Sequence, residues 1–380
     1  MQSETSKLKN KLKWEPKVSK SVLNLAPYVP GKPIEETERE YGIKGVIKLA
    51  SNENPLGPSP LAVQAIAAKA QEGHRYPDAA HFSLKKALSK YHGLSADSFV
   101  VGNGSNELID LIIRIFVPAG SNVVAPEYSF VAYKLCAALQ GCGYKEAPVG
   151  KNFELSVKSI LKTVNAKTRV VFLANPNNPT GAHLRKEEVE SLAAALDKKK
   201  ILLVLDYAYW EYVQTKDIPS PEHMVQKFSN VIVLKTFSKI HGLAAFRVGY
   251  SISHERLADI LNRSRQPFNI NSYGLIAAEA ALWDKTFVAK SLKTNNEGLK
   301  VLQKSFQDLP GVKLYPTQGN FILIGHKQDS LLINEEFLKR GVIIRPVRNY
   351  GLKNHIRISV GTTEENERLV KAAKEIFGRK

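Results

Sequence analysis

Short apolar runs alternate with amphipathic stretches between about residue 46 and residue 260. Most of the runs are continuous and rich in β-branched residues, as strands covered on both faces are. The predicted strands are residues 99–101, 121–124, 169–174, 201–205, 231–234 and 247–250. Among the stretches between them, residues 108–116 place apolar side chains at helical spacing, and residues 186–200 form a second predicted helix. This alternation predicts an α/β fold with a mostly parallel central sheet and flanking crossover helices.

After about residue 265 the pattern changes. A helix-rich region over residues 273–307 is followed by predicted strands near 320–324, 342–344 and 355–360 and by a closing helix over 364–377. This order predicts a smaller α+β domain. The predicted division is a basic N-terminal arm at residues 1–20, a large domain at 46–262, and a small domain formed by 21–45 with 263–380.

Composition narrows the class of protein. The chain has 380 residues, 43% of them hydrophobic and 24% charged, which is ordinary for a soluble globular protein. The net charge is +18, but the lysines are scattered, which fits anionic substrates as well as it fits nucleic acid, and we expect no nucleic-acid role. No apolar stretch approaches the roughly 20 residues that a membrane span needs.

The cysteines and the N-terminal arm indicate the cellular compartment of the protein. The N-terminal arm is lysine-rich and lacks the apolar segment of a secretory signal. Cys136 and Cys142 form no Cys-x-x-Cys pair, and no zinc-ligand cluster accompanies them. We therefore expect no structural disulfide, no metal and a cytoplasmic setting.

Lys239 lies in the segment of greatest chemical interest, residues 235–247. The apolar run 231–234 leads into it, Ser238 precedes the lysine, and Arg247 follows eight residues later. A lysine amine forms a Schiff base with an aldehyde, whereas a hydroxyl and a guanidinium suit a phosphate dianion. Pyridoxal phosphate carries both an aldehyde and a phosphate on one ring. The alternative is a surface lysine that follows a buried strand.

A glycine-containing turn precedes the first predicted helix. Gly104, Ser105 and Asn106 lie where a strand ends and the helix is predicted to begin, near Asn106. A helix N-terminus offers N–H groups without helical partners and a partial positive charge, so this turn could hold a phosphate. The alternative is a simple turn with Ser105 as the N-cap.

Polar residues also follow two of the predicted strands. Asn178 lies in the loop 175–181, and Asp206 and Tyr209 follow the run 201–205. Ligands of doubly wound sheets bind at the carboxyl ends of the strands. There, an asparagine amide could donate to a phenolate oxygen, and a carboxylate could keep a pyridine nitrogen protonated, so that the ring acts as an electron sink. Each residue could instead belong to an ordinary turn or cap.

Two further positions have plausible binding roles. Tyr128 follows a strand and could stack on a ring, with Phe130 as its rival and a core position as the alternative. Arg357 alternates with Ile356 and Ile358 on a predicted strand, so it faces the other side of the sheet. An arginine there needs an anion, either a substrate carboxylate or an internal salt bridge.

The motifs together resemble a known family. In order, they are Asn-Glu-Asn-Pro, Arg-Tyr-Pro-Asp, Gly-Asn-Gly-Ser-Asn-Glu, Asn-Pro-Asn-Asn-Pro-Thr-Gly, Asp-x-Ala-Tyr, Ser-Lys with its arginine, and Arg-Ile-Ser-Val-Gly-Thr. They are similar to those of the class I/II aminotransferases of fold type I, and most similar to those of the histidinol-phosphate aminotransferases. The resemblance runs from about Leu25 to Thr362.

The resemblance implies a role for each matching residue. Lys239 would form the Schiff base with pyridoxal phosphate and move the proton, Asp206 would pair with the pyridine nitrogen, and Asn178 and Tyr209 would contact the phenolate oxygen. The phosphate would be held by Gly104, Ser105, Asn106, Ser238 and Arg247. The substrate would be contacted by Tyr28, Asn52, Arg345 and Arg357. Tyr76 would reach the cofactor phosphate of a partner subunit, which implies a homodimer with shared sites.

The implied reaction transfers the amino group of histidinol phosphate to 2-oxoglutarate, with glutamate as a product, in histidine biosynthesis. Three alternatives stay open: a broad aromatic aminotransferase, a phosphothreonine-type decarboxylase, and a DNA regulator built on the same fold. The regulator is disfavoured because the roughly 45 residues before the large domain lack a helix-turn-helix pattern.

One departure from the family pattern stands out: Tyr207 occupies the position where the family usually has glutamate. His241 is interpreted as an ordinary loop residue.

Overall fold

The computed structural model describes residues 17–23, 25, 31–215 and 217–378. The predictions for Tyr28 and for most of the N-terminal arm lie outside the described residues. The helices are α1 (Lys20–Leu23), α2 (Ile34–Tyr41), α3 (Pro60–Lys69), α4 (Phe82–His92), α5 (Gly104–Phe116), α6 (Val131–Leu139), α7 (Val157–Thr163), α8 (Lys186–Asp197), α9 (Pro221–Lys227), α10 (Glu255–Ser264), α11 (Ser272–Leu282), α12 (Lys285–Gln307), α13 (Ser330–Leu338) and α14 (Thr363–Phe377).

Within the described residues, the strands form three sheets. They are β1 (Ile47–Lys48), β2 (Phe99–Gly102), β3 (Asn122–Pro126), β4 (Gly143–Ala147), β5 (Thr168–Ala174), β6 (Leu202–Asp206), β7 (Val231–Thr236), β8 (Gly249–Ser253), β9 (Lys313–Tyr315), β10 (Phe321–Gly325), β11 (Val342–Ile343), β12 (Arg345–Pro346) and β13 (His355–Ser359). The largest sheet has the order β2-β8-β7-β6-β5-β3-β4. Strand β8 runs antiparallel to both of its neighbours, and the other pairings are parallel. The mostly parallel sheet predicted from the sequence is confirmed.

The central strands are buried on both faces, and successive residues face opposite cores. Val171 and Leu203 belong to one core cluster, whereas Val170 and Val204 belong to the other. A strand covered on both sides must be apolar at every position, which explains the continuous runs in the sequence. The helices that cover the two faces hold the carboxyl ends of β5, β6 and β7 at one edge of the sheet.

Local sequence signals account for many of the helix boundaries. Ser59 and Ser220 accept hydrogen bonds from the first turns of α3 and α9, and each is followed by a proline at the first helical position. Thr362 and Glu365 form a capping box at the start of α14. Within the described residues, no helix is long and apolar enough to cross a membrane.

The C-terminal region builds a second unit. An antiparallel sheet of order β12-β13-β10-β9 packs its apolar face on α12, α13 and α14. Strand β1 pairs in parallel with β11, and Val46 and Ala50 pack with Leu338 and Ile343. We therefore propose that the N-terminal segment stays with the small domain as far as about Ala50, a few residues beyond the boundary predicted at residue 46.

Candidate active site

A cavity of about 280 Å³ opens between the edge of the large sheet and one face of the small sheet. Its walls come from the residues that follow β5, β6 and β7, from the first turn of α5, and from β12 and β13. The lining residues are Gly31, Ala50, Ser51, Ser105, Asn106, Phe130, Ala174, Pro176, Asn178, Asp206, Ala208, Tyr209, Thr236, Ser238, Lys239, Arg247, Arg345, Tyr350 and Arg357. Ten of the site residues predicted from the sequence therefore meet at one place.

Lys239 follows the end of β7 and projects its amine into this cavity. Its Nζ donates to the Ser51 carbonyl oxygen at 3.1 Å and lies 5.8 Å from the centre of the Tyr209 ring. Burial lowers the pKa of the Lys239 ammonium to about 8, and the positive charges of Arg357 and Arg247 act in the same direction. A larger share of neutral, nucleophilic amine is therefore present near neutral pH than at an ordinary lysine.

Asp206 is the last residue of β6 and is buried. The Tyr133 hydroxyl donates to its Oδ2 at 2.7 Å, and the Ala208 backbone N–H donates to its Oδ1 at 3.1 Å. Burial raises the pKa of Asp206, whereas these two hydrogen bonds and the Lys239 charge oppose the rise. Each carboxylate oxygen can accept more than one hydrogen bond, so the group can still receive a donor from the cavity.

Tyr209 forms part of the cavity wall, whereas Asn52 lies behind it. The Asn52 side-chain amide donates to the Tyr209 hydroxyl at 2.9 Å, and its Oδ1 accepts from the Ser359 hydroxyl at 3.0 Å. Asn52 is fully buried and does not line the cavity. Its amide is engaged in orienting Tyr209, and its predicted contact with the substrate stays a prediction.

Arg357 and Asn178 meet at the boundary of the two sheets. Arg357 Nη1 donates to Asn178 Oδ1 at 2.5 Å, and Nη2 donates to the Ala50 carbonyl oxygen at 2.6 Å. Arg345 on β12 is the direct antiparallel partner of Arg357 on β13. Because facing residues of paired strands project from the same side of a sheet, the two arginines line the cavity together.

A second cationic corner surrounds the first turn of α5. Arg247 has a left-handed backbone (φ 56°), and its Nη1 donates to the Ser238 hydroxyl at 3.4 Å. Residue 247 was predicted to begin a strand, but β8 starts two residues later, and the intervening turn brings the guanidinium back over Gly104. A Cβ at Gly104, which itself has φ 72°, would lie 2.5 Å from Arg247 Nη2, so glycine is what permits this approach.

Two predicted aromatic contacts lie elsewhere within the described residues. Tyr128 packs edge-on against Phe153 and is absent from the lining, whereas its rival Phe130 is present. Phe130 is therefore the better placed of the two for the stacking role, which stays a prediction. Tyr76 is 83% exposed, stacks on Phe268 with ring centres 4.9 Å apart, and is not among the residues that line this cavity.

The sequence did not single out three neighbours of the site. Tyr133 on α6 holds Asp206, Thr236 ends β7 at the lining, and Tyr350 contributes an aromatic side chain from the turn after β12. Thr236 lies inside the segment 235–247 already noted, so proximity to Lys239 was the available signal for it. Tyr133 gave no such signal, because its contact depends on the packing of α6 against the sheet.

Comparison with known proteins decides the family. The sequence model of the family described as aminotransferase class I and II matches residues 44–372. This chain belongs to the class I and II aminotransferases. The resemblance and the fold type I architecture predicted from the motifs are thereby confirmed.

Two curated members of this aminotransferase family illustrate how far the similarity extends. Histidinol-phosphate aminotransferase 1 of Nitrosococcus oceani is 43% identical over 356 residues, covering 94% of this chain and 95% of that protein. The histidinol-phosphate aminotransferase of Bdellovibrio bacteriovorus is 41% identical, covering 95% and 98%. Among solved aminotransferase structures, that of the histidinol-phosphate aminotransferase from Sinorhizobium meliloti in complex with pyridoxal-5′-phosphate superimposes with a TM-score of 0.87 at 29% identity, covering 96% of this chain and 99% of that one.

Proposed function

We propose that this aminotransferase transfers the amino group of L-histidinol phosphate to 2-oxoglutarate, with pyridoxal phosphate as its cofactor, in histidine biosynthesis. The observation that carries the proposal is one cavity with a lysine amine of lowered pKa, a buried carboxylate at a strand end, and three arginines. Similarity to histidinol-phosphate aminotransferases over nearly the whole chain supports the choice of substrate.

The residues of the cavity fit the cofactor by their chemistry. The first turn of α5 offers Ser105 and Asn106 beside Ser238 and Arg247, which together suit a phosphate dianion. A Cβ at Gly249 would lie 2.6 Å from the Ser105 backbone nitrogen, so a glycine also keeps space behind this turn. Asp206 offers an anionic acceptor for a ring N–H, and Lys239 offers an amine for the aldehyde.

The chain's own residues divide the work. When bound, pyridoxal phosphate supplies an aldehyde and an electron-withdrawing ring. Lys239 Nζ acts as the general base that takes the α-proton and returns it, a contribution of roughly 10²–10⁴-fold. Asp206 would offer its carboxylate to the N–H of the ring nitrogen. Because Arg357 occupies Asn178 Oδ1, the Asn178 Nδ2 group is the donor that a phenolate oxygen would meet.

Substrate binding falls to the arginines of the small sheet. Arg357 would take the α-carboxylate of glutamate or 2-oxoglutarate, whereas Arg345 would take the phosphate of histidinol phosphate. Two guanidinium groups on one sheet face provide donors for more than one anionic group, and guanidinium donors suit both carboxylate and phosphate geometry. The site therefore accepts two different anionic substrates in turn.

We also propose that the protein forms a homodimer with shared active sites, and that it acts in the cytoplasm. The exposed aromatic pair of Tyr76 and Phe268, with Phe82 exposed nearby in sequence, is an apolar surface that a second copy would cover. In the dimer, Tyr76 would reach the partner's cofactor phosphate. Sedimentation of the protein at assay concentration measures the assembly.

The test of the proposed function is a side-by-side measurement of kcat/KM with 2-oxoglutarate as acceptor. Histidinol phosphate should exceed phenylalanine by at least about tenfold, the value of a single well-made charged contact. An equal or higher value for phenylalanine would reassign the enzyme as an aromatic aminotransferase. Release of CO₂ from phosphothreonine without an oxo acid would reassign it as a decarboxylase.

A further inference from the structure

A buried ion pair joins two chain segments that border the cavity. Lys235 Nζ is 2.6 Å from Glu211 Oε1, and the two side chains are only 3% and 16% exposed. The same ammonium lies 4.5 Å from the centre of the Trp210 ring. Charges are buried in this way only when they are paired, so each side chain depends on the other for its place.

The pair joins the two segments that carry the reacting groups. Lys235 is on β7, four residues before Lys239, and Glu211 is two residues after Tyr209 in the 3₁₀ turn that follows β6. Neither Lys235 nor Glu211 lines the cavity. The pair can therefore act on the reaction only indirectly, and the reacting groups nearest to it along the chain are Lys239 and Tyr209.

We propose that Lys235 and Glu211 are positioning residues, and that their ion pair holds the Lys239 loop against the Tyr209 turn. This inference rests on the proposed role of Lys239 as the reacting amine. The ion pair would keep Lys239 Nζ 5.8 Å from the centre of the Tyr209 ring, where Nζ also donates a hydrogen bond to the Ser51 carbonyl oxygen. A displacement of about 1 Å in such a relation is sufficient to slow a reaction about 100-fold.

The surroundings of Glu211 leave Lys235 as its charged partner. Among the residues that the structure describes, the other titratable groups that face this carboxylate are Tyr91, Tyr212, Tyr250 and His241. Burial raises the pKa of each tyrosine and lowers the pKa of His241 to about 4, so all four are neutral at pH 7. The electrostatic link between the two segments is therefore the Lys235–Glu211 contact.

The test uses a paired variant and a matched control. Lys235→Met with Glu211→Gln removes both charges together, which avoids leaving one buried charge alone, and shortens only the lysine side chain, by one atom. Lys227→Met with Glu190→Gln makes the same changes in another lysine–glutamate pair at 2.6 Å, between α9 and α8 and away from the cavity. Lys235→Arg keeps the charge and the aromatic contact.

Two measurements separate positioning from simple stability. The first is kcat and KM for histidinol phosphate, and the second is the pH midpoint for association of pyridoxal phosphate with the cofactor-free protein. The paired variant should lose at least about tenfold in kcat with KM within about twofold. Its midpoint should rise by about one pH unit, because water that reaches the amine relieves the burial that lowers its pKa.

The control pair should match the wild type in both measurements, and Lys235→Arg should recover at least about half of kcat. A paired variant with wild-type kcat and midpoint would overturn the inference. Equal losses in the control pair, or a loss of kcat without a shift in midpoint, would overturn it as well.

A milder variant covers the case in which the paired variant does not fold. Glu211→Asp keeps both charges and withdraws the carboxylate by one methylene, so a smaller shift in the same direction is expected; a wild-type midpoint would overturn the inference. Failure of the proposed function has a separate signature. If Lys239→Ala still formed a borohydride-stable link to the cofactor, the reacting amine would be another residue, whatever the result at Lys235.

Discussion

The two walls of the cavity are built on different principles. On the large-domain side, Asp206 ends β6, and Asn178 and Lys239 follow the carboxyl ends of β5 and β7, so parallel neighbours bring them to one edge. On the small-domain side, Arg345 and Arg357 project from the face of an antiparallel sheet. The first wall concentrates groups suited to chemistry on a ring, and the second concentrates cations suited to anionic substrates.

This difference separates the residues that carry out the reaction from the residues that select the substrate. Groups at a strand edge are held by backbone that is buried on both faces, and Asp206 in particular is held by Tyr133 and Ala208. Arg345 is only partly buried and lies on a two-residue strand. Substitution on the first wall should therefore abolish the reaction for every substrate, whereas substitution at Arg345 should change the ranking of substrates.

The largest expected effect is that of Lys239→Ala. Removing the amine removes both the covalent attachment and the general base, so kcat should fall by about 10⁴-fold or more for all amino donors. Borohydride treatment followed by intact-mass measurement should show the cofactor mass on the wild type and none on the variant. A variant that kept more than about one hundredth of the wild-type kcat would place the chemistry elsewhere.

Arg345→Ala should produce a smaller and selective effect. Loss of a hydrogen bond to a charged group costs about 1.5–3 kcal/mol, so kcat/KM for histidinol phosphate should fall by roughly 10- to 150-fold. The value for phenylalanine should change less than about threefold, because it has no phosphate for this side chain to bind.

The matched control for Arg345 is Arg348→Ala. Arg348 lies three residues further on, pairs with Asp329 and does not line the cavity. It should leave both specificity constants within about twofold of the wild type, as expected for a surface pair. Equal losses for the two substrates in Arg345→Ala would remove the distinction between the walls.

The pH dependence of cofactor association reports on the first wall alone. The pKa of Lys239 is lowered from its ordinary value to about 8, so the amine is increasingly neutral, and reactive, as pH rises toward 8. The association rate constant of the cofactor-free protein should rise about tenfold per unit up to that point and then level off. N-acetyl-lysine amide, measured in parallel, corrects for titration of the cofactor itself. A rate that kept rising to the pKa of an ordinary lysine would contradict the effect of burial.

The smallest expected effect concerns Tyr207, where the family usually has glutamate. Tyr207 is fully buried in the core next to Asn175, and burial raises the pKa of its hydroxyl. Asn175 already exchanges two hydrogen bonds with Leu184, so Tyr207→Phe should leave kcat/KM within about twofold. Tyr207→Glu should lower Tm by several degrees instead, because it buries a carboxylate in an apolar core. Equal Tm values for the two variants would show that the position tolerates charge.

Much of the first wall was predictable because one-dimensional signals locate it. A strand end, a glycine before a helix, and a lysine preceded by a hydroxyl are all visible in the sequence, and residues at parallel strand ends converge by topology alone. The strands missed by the hydrophobic pattern were short or polar, such as β4 at the edge of the sheet and β1, β9 and β12 in or against the small domain. Those strands exist through their partners rather than through their own composition.

The sequence could not predict which side chains pack against each other around the cavity. Asn52 and Tyr128 match family motifs, yet one lies behind Tyr209 and the other packs on Phe153. Tyr133 holds Asp206 across 73 positions of the chain. Such contacts depend on how helices and loops pack in three dimensions, which local spacing does not encode.

The alignment of Arg345 with Arg357 gives the loop between β12 and β13 an unexpected importance. Because alternate residues of a strand point to opposite sides, an insertion or deletion of one residue that slid β12 along β13 would turn Arg345 out of the cavity while Arg357 stayed. The length of the connection at residues 347–354, rather than the identity of its side chains, would then decide which anions the enzyme accepts, and trimming it offers a route to redesigned substrate preference.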